Sequence, residues 1–338
     1  MPLGPIQDVT GLITRYVAES DEPDMREYGR DVTDDFERFM LIMRRECRSL
    51  RLGTGSRVLD IGCGYGWQAL AIHAISGAEV DANDVRRLMT DTIDRSLERV
   101  GVAGVRTLLG DVCGLNLPEA SYDAVICHQT LEHVHDEDRT LDVIARSLKP
   151  GGRYLITNDN NALSKKAVRA NTAMWERRDG DWALIEEFRR KRPSEGAGDE
   201  PFAVTRARIV KLSAPHLSSD ELEAIVAATA GLRRPQIEEV ARDYRPGARL
   251  PTRPPYSWCR NPETGEYCER LIDPFEVAAK LRQRGLRARV EHGFTRWPLS
   301  MLNGVGIAAV NNALFQVRPY FRLVGSRRAG SAARVGAV

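Results

Sequence analysis

Between Arg57 and Thr157, short apolar runs alternate with amphipathic segments, and this alternation leaves few folds open. Arg57-Val58-Leu59-Asp60-Ile61 reads as a strand that ends in glycines. Ala69 to Ile75 reads as the helix after it, and Ala78 to Val85 as a second strand. Leu88 to Val100 has helical spacing, with Leu88, Ile93, Leu97 and Val100 apolar. Val105 to Leu109 and Tyr122 to Cys127 are the next strands. Thr140 to Leu148 is helical, Pro150-Gly151-Gly152 is a turn, and Arg153 to Thr157 is a fifth strand. Strands alternating with helices at this spacing point to a parallel α/β sheet.

The rest of the chain is organised around that stretch. Residues 1–32 are polar and look like an N-terminal arm or a short helix. Helix signals begin near Thr33, with Asp34 and Asp35 supplying a negative first turn. Phe36, Phe39, Met40, Met43, Cys47 and Leu50 then share one helical face. Residues 33–161 are therefore expected to form the α/β core. Residues 162–272 are longer and irregular, with helices expected at 164–192 and 219–230 and proline- and glycine-rich connectors. The α/β pattern resumes over 273–327, with a helix at 275–284, a strand at 287–294 and a last strand within Pro319 to Gly325. The tail 328–338 is small and polar and is expected to be disordered.

Composition narrows the function classes. Lys+Arg is 49 and Asp+Glu 47, a net charge of +2, so no global basic field argues for nucleic-acid binding. The longest weakly polar stretch, Met301 to Val317, is broken by Asn303, Asn311 and Asn312 and is too short for a transmembrane helix. No basic leader with an apolar run opens the chain. Six scattered cysteines are not a disulfide framework in a chain this long, so a cytoplasmic protein is expected.

The chemistry concentrates after the first strand. Gly62-Cys63-Gly64-Tyr65-Gly66 is a G-x-G-x-G turn, in which glycines let backbone approach a ligand closely. Asp84, about 20 residues on, ends the second strand, where a carboxylate can accept two ribose hydroxyls. The unusually polar second strand also carries Asp81, a competing ribose ligand. Gly110-Asp111-Val112, Tyr122-Asp123, Leu131-Glu132-His133-Val134 and Leu148-Lys149-Pro150-Gly151-Gly152 follow in order. A nicotinamide dehydrogenase would instead carry G-x-G-x-x-G.

This ordered set, over roughly residues 35–160, resembles the class I S-adenosylmethionine-dependent methyltransferases. The resemblance implies a Rossmann-like, doubly wound, seven-stranded and mostly parallel sheet with an antiparallel last strand. It makes 162–272 an insertion, or lid, at the carboxyl ends of the strands, where the substrate pocket would lie. It implies S-adenosyl-L-methionine as cofactor. Asp60 and the backbone of Gly62, Gly64 and Gly66 would hold its amino-acid end, Asp84 its ribose, and Asp111 its adenine amino group. Val112 would pack on the adenine ring, and His128 would line the sulfonium.

Methyl transfer to a hydroxyl needs a proton acceptor, and histidine is the usual one near neutral pH. His128 and His133 are the candidate catalytic residues, with His135 nearby. No metal site is assigned, since nothing fixes a geometry for His133, His135 and Asp136. Cys259 and Cys268 lack C-x-x-C spacing and read as free thiols around a turn. The expected function is methylation of O or N on a small molecule in a biosynthetic pathway, of natural products or glycans. The alternatives are a methyltransferase acting on protein, RNA or lipid-linked glycan, and a cofactor-binding protein catalysing another transfer. The sequence leaves the oligomeric state open, a homodimer included.

Overall fold

The computed structural model describes residues 8–196, 199–292, 313–316 and 318–329. Seven strands form one sheet: β1 Arg57–Ile61, β2 Glu79–Asp84, β3 Val105–Leu109, β4 Tyr122–His128, β5 Leu148–Asn158, β6 Leu286–His292 and β7 Phe321–Arg327. Their order is β3-β2-β1-β4-β5-β7-β6. The first five pair parallel, and β7 runs antiparallel between β5 and β6. The seven-stranded sheet with one reversed final strand is thus the sheet expected.

Period-two burial explains why the sheet is covered twice. Val58, Val80, Ala124 and Ile126 face helices α1 Val9–Ala18, α2 Pro23–Asp34, α3 Phe36–Leu50, α4 Trp67–Ser76 and α5 Arg87–Val100. Leu59, Ile61, Val125 and Cys127 face α6 Glu137–Ser147 and α12 Pro274–Gln283. Neighbouring residues on a strand point to opposite faces, so each run feeds two cores.

For residues 1–32, read as an arm or a short helix, the N-terminal segment is helical where described. Its described part forms α1 and α2, and Leu12, Ile13, Tyr16 and Val17 are buried with α4 and α5. The Tyr16 hydroxyl donates to the Tyr65 carbonyl at 2.8 Å. Thr33 lies inside α2, and α3 starts at Phe36.

The insertion holds α7 Lys165–Gly180, α8 Trp182–Lys191, α9 Phe202–Ser213, α10 Ser219–Ala228 and α11 Arg234–Asp243. The single helix expected over 164–192 breaks at Asp181, whose side chain accepts from Ala183 N and caps α8. Two small cores sit inside the insertion, one around Trp175 and Trp258, the other around Ile209, Ile225 and Ile237. Its two ends lie side by side beyond β5: Ala162 N donates to Ile272 O at 2.9 Å and Ile272 N to Asn160 O at 2.7 Å. Residues 293–294 of the expected strand, most of Met301 to Val317 and the tail from 330 lie outside the described residues. Among the described residues no helix is long and apolar enough to cross a membrane.

Candidate active site

The glycine turn leaves β1 in left-handed backbone, with φ of 69° at Gly62, 54° at Gly64 and 77° at Gly66. Two of these positions are constrained differently. A Cβ on Gly62 would lie 2.1 Å from Thr130 Cγ2, so the turn after β4 closes on it. A Cβ on Gly64 would meet nothing within 4 Å, and its N–H donates to Asp84 Oδ2 at 3.0 Å. Gly66 opens α4.

Asp84 also accepts from Arg86 N at 2.9 Å, so its carboxylate is braced at the end of β2 beside the glycines. Burial raises its pKa, and the two backbone donors pull it back. Asp81 is committed elsewhere. Arg106 binds it with two bonds of 3.0 and 2.9 Å, the Tyr122 hydroxyl donates to it at 2.7 Å, and Arg57 pairs with it at 3.2 Å. The strand is therefore in the register that puts Asp84, not Asp81, beside the turn. Val85 next to it is 61% exposed, an apolar surface the sequence reading passed over.

Asp60 is fully buried, and neither carboxylate oxygen has a hydrogen-bond partner. Burial pushes its pKa up to about 6, against the pull of His128. Buried carboxylates are normally satisfied. An orphaned one beneath a glycine turn fits the ammonium of an amino-acid ligand, and Asp84 fits a diol. The residues present thus suit S-adenosylmethionine.

Asp111 accepts from Cys113 N at 2.9 Å and lies 3.7 Å from His135 Nε2. Val112 is buried in the α6-side core.

The structure places His128 and His133 among different partners. His128 is buried on the α3 side, its Nδ1 bonded to Thr157 Oγ1 at 2.7 Å and its Nε2 3.2 Å from Glu46 Oε2. Burial alone would lower its pKa, but the Glu46 carboxylate raises it above the usual value.

His133 lies at the turn after β4. Its Nδ1 donates to the Tyr267 carbonyl at 3.0 Å, and its Nε2 is 3.7 Å from Glu269 Oε1. Burial lowers its pKa, and Glu132 and Glu269 raise it overall. Glu132 is buried and accepts from Asn158, with Asn160 at 3.5 Å; burial pushes its carboxyl up to about 7. Asn160 also bonds Glu269. Ligand atoms of Glu132, His133 and Glu269 lie within 4.8 Å of one another, a set that could hold a cation. His133, His135 and Asp136 do not form that set; His135 turns to Asp111 instead. Gln129, at the same strand end, has a φ of 45°, a strained value for a non-glycine residue.

A strap from the insertion crosses to the glycine turn. Glu195 accepts from the Tyr65 hydroxyl at 3.0 Å and from Arg86 at 3.2 Å. Ser194 N and Glu195 N donate to Asp24 of α2 at 3.1 and 2.8 Å. Arg86 further pairs with Glu266 at 3.3 Å. Neither Glu195 nor Glu269 was found by sequence reasoning, because both come from the insertion and no local motif marks them.

Comparison with known proteins agrees with this geometry. Residues 59–156 match the family described as "Methyltransferase domain". A sterol 24-C-methyltransferase of Gibberella zeae is 28% identical over 164 residues, 43% of this chain and 43% of that protein. A ubiquinone biosynthesis O-methyltransferase of Xylella fastidiosa is 35% identical over 117 residues, 33% of this chain and 45% of that one. The chain thus spans less than half the length of these curated relatives. The YcgJ protein of Bacillus subtilis, a solved structure, is 24% identical with a TM-score of 0.36, covering 41% of this chain and 58% of that one. With its ordered motifs, sheet topology and matched segment, the chain carries a methyltransferase domain over residues 59–156.

Proposed function

We propose that the protein transfers a methyl group from S-adenosylmethionine to an oxygen or nitrogen of a small molecule in a biosynthetic pathway, of natural products or glycans. The acceptor lies between the insertion and the ends of β4 and β5. One observation carries the reading: the strand ends that present Asp60, Asp84 and the glycine turn also lead into the polar group of Glu132, His133 and Glu269. The cofactor, when bound, supplies an electrophilic methyl on its sulfonium. Asp60 pairs with its ammonium and Asp84 with its ribose hydroxyls. Residues 162–272 cover the acceptor and keep water out.

For a hydroxyl acceptor, His133 takes the proton. Its Nδ1–H is fixed on the Tyr267 carbonyl, so Nε2 is the free base, and the Glu269 carboxylate stabilises the imidazolium that forms. For an amine that arrives neutral, alignment suffices.

The test is formation of S-adenosylhomocysteine against a panel of small hydroxyl and amine compounds. A hydroxyl acceptor should show kcat rising with pH through the raised pKa of His133, and His133→Ala should lower kcat roughly 100-fold or more. Retention of kcat within about tenfold removes His133 as the base. Absence of turnover on the whole panel, with cofactor binding intact, refutes the small-molecule reading.

A further inference from the structure

All six cysteines are free thiols. Cys47 and Cys63 pack in the core under α1 to α5, Cys127 in the opposite core, and Cys113 bonds Thr140. Cys259 and Cys268 are placed differently. They flank a short hairpin of the insertion in which Arg260 pairs antiparallel with Tyr267. Two bonds fix the register: Asn261 N to Glu266 O at 2.8 Å, and Cys268 N to Cys259 O at 2.9 Å. That pattern makes Arg260 and Tyr267 a non-hydrogen-bonded pair. Cys259 and Cys268, one step along, are then directly opposed, joined by the single bond from Cys268 N, with side chains on one face. Cα atoms in such a pair stand about 5.5 Å apart, within the span a disulfide requires. On the other face the Arg260 guanidinium stacks 4.4 Å from the Tyr267 ring centre, which holds the register.

The two thiols are neighbours that differ in access. Cys268 is partly exposed and Cys259 is buried.

We propose that Cys259 and Cys268 form a redox-active dithiol, which a low-molecular-weight disulfide converts to an intramolecular disulfide. The Cys268 thiolate attacks one sulfur of the small disulfide and expels one small thiolate, which takes up the proton Cys268 released. The Cys259 thiolate then attacks the Cys268 sulfur, forms the Cys259–Cys268 bond and expels the second small thiol. Two protein thiols are oxidised and one small disulfide is reduced to two thiols. The bond draws Cys268 Sγ away from Met174 Sδ, now 3.6 Å away. The hairpin also carries the Tyr267 carbonyl that orients His133 and leads into Glu269, so its closure reaches the acceptor side of the site.

The folded full-length protein is treated with oxidised glutathione, quenched in acid, and mapped by mass spectrometry with and without reduction. The expected result is loss of two of the six thiols and a species lighter by two hydrogens linking Cys259 to Cys268, reversed by dithiothreitol. Cys259→Ser should stop at a mixed disulfide on Cys268, and Cys268→Ser should give neither product. The proposal is overturned if the link forms only after unfolding, if other cysteines pair, or if Cys268→Ser reacts like the parent.

Discussion

Replacing Asp60 with asparagine should stabilise the empty protein while weakening it as a cofactor binder. The carboxylate is buried, without a hydrogen bond, and its pKa rises from 3.8 to about 6. A shift of about two units corresponds to about 3 kcal/mol against the ionised form. The folded pKa lies above the unfolded one, so the folded chain holds this proton more tightly. Stability therefore falls as pH rises from about 4 and levels off above about 6. Asp60→Asn removes that slope. Its melting temperature, measured without cofactor, should exceed that of the parent at pH 8 by an amount equivalent to about 2–3 kcal/mol. The advantage should shrink below about 1 kcal/mol near pH 4. Saturating S-adenosylmethionine should reverse the ranking, because the parent gains an ammonium partner that the variant cannot use as well. An advantage that does not change with pH, or a variant less stable than the parent at every pH, would mean that Asp60 has a partner in the folded chain and that the argument is wrong.

Three further expectations follow from the same geometry. Gly62→Ala should cost several kcal/mol in denaturant titration, since its Cβ meets Thr130 at 2.1 Å in a left-handed turn, whereas Gly64→Ala should cost only about 1–2 kcal/mol; equal costs would contradict the packing described. Asp84→Asn should weaken cofactor binding by about 1–3 kcal/mol in calorimetry, and Asp81→Asn should lower stability with binding nearly unchanged; the opposite pattern would return the ribose role to Asp81. His128 has a raised folded pKa, so its ion pair with Glu46 contributes fully below about pH 6.5 and fades as pH rises through that raised value. The cost of His128→Asn should accordingly be larger at pH 5.5 than at pH 9, and a cost that grows with pH would refute the pair.

What could be read from the chain alone tracks how local the physics is. β1 and β4 are buried on both faces, so their apolar runs announce them whatever their partners. The glycine turn and Asp84 are legible because backbone conformation and a strand end are local properties. Helix α9 escaped because its buried face includes Thr205 and Arg206 and so is not an apolar stripe, and α11 because only Ile237 and Ala241 are buried. Glu269 was out of reach for another reason. It meets His133 only because the hairpin docks on residues 131–133, through Tyr267 N to His133 O at 3.1 Å and Arg270 N to Glu132 O at 3.3 Å. That register is set by tertiary packing and leaves no periodic trace. The partner of His128, Glu46, comes from a helix whose apolar stripe gave no sign of a buried carboxylate.

The strap at Glu195 bears on timing. Asp24 grips it through two backbone N–H groups, and Tyr65 and Arg86 grip its side chain, so segments far apart in sequence converge on one turn. A nucleoside bound between the glycine turn and the end of β2 would leave only as those grips part. Departure of the spent nucleoside, rather than bond making, is then expected to pace repeated turnover. The first turnover should then run ahead of the steady state as a burst, and added salt, by loosening the partly exposed Arg86 pairs, should quicken the later cycles more than the first.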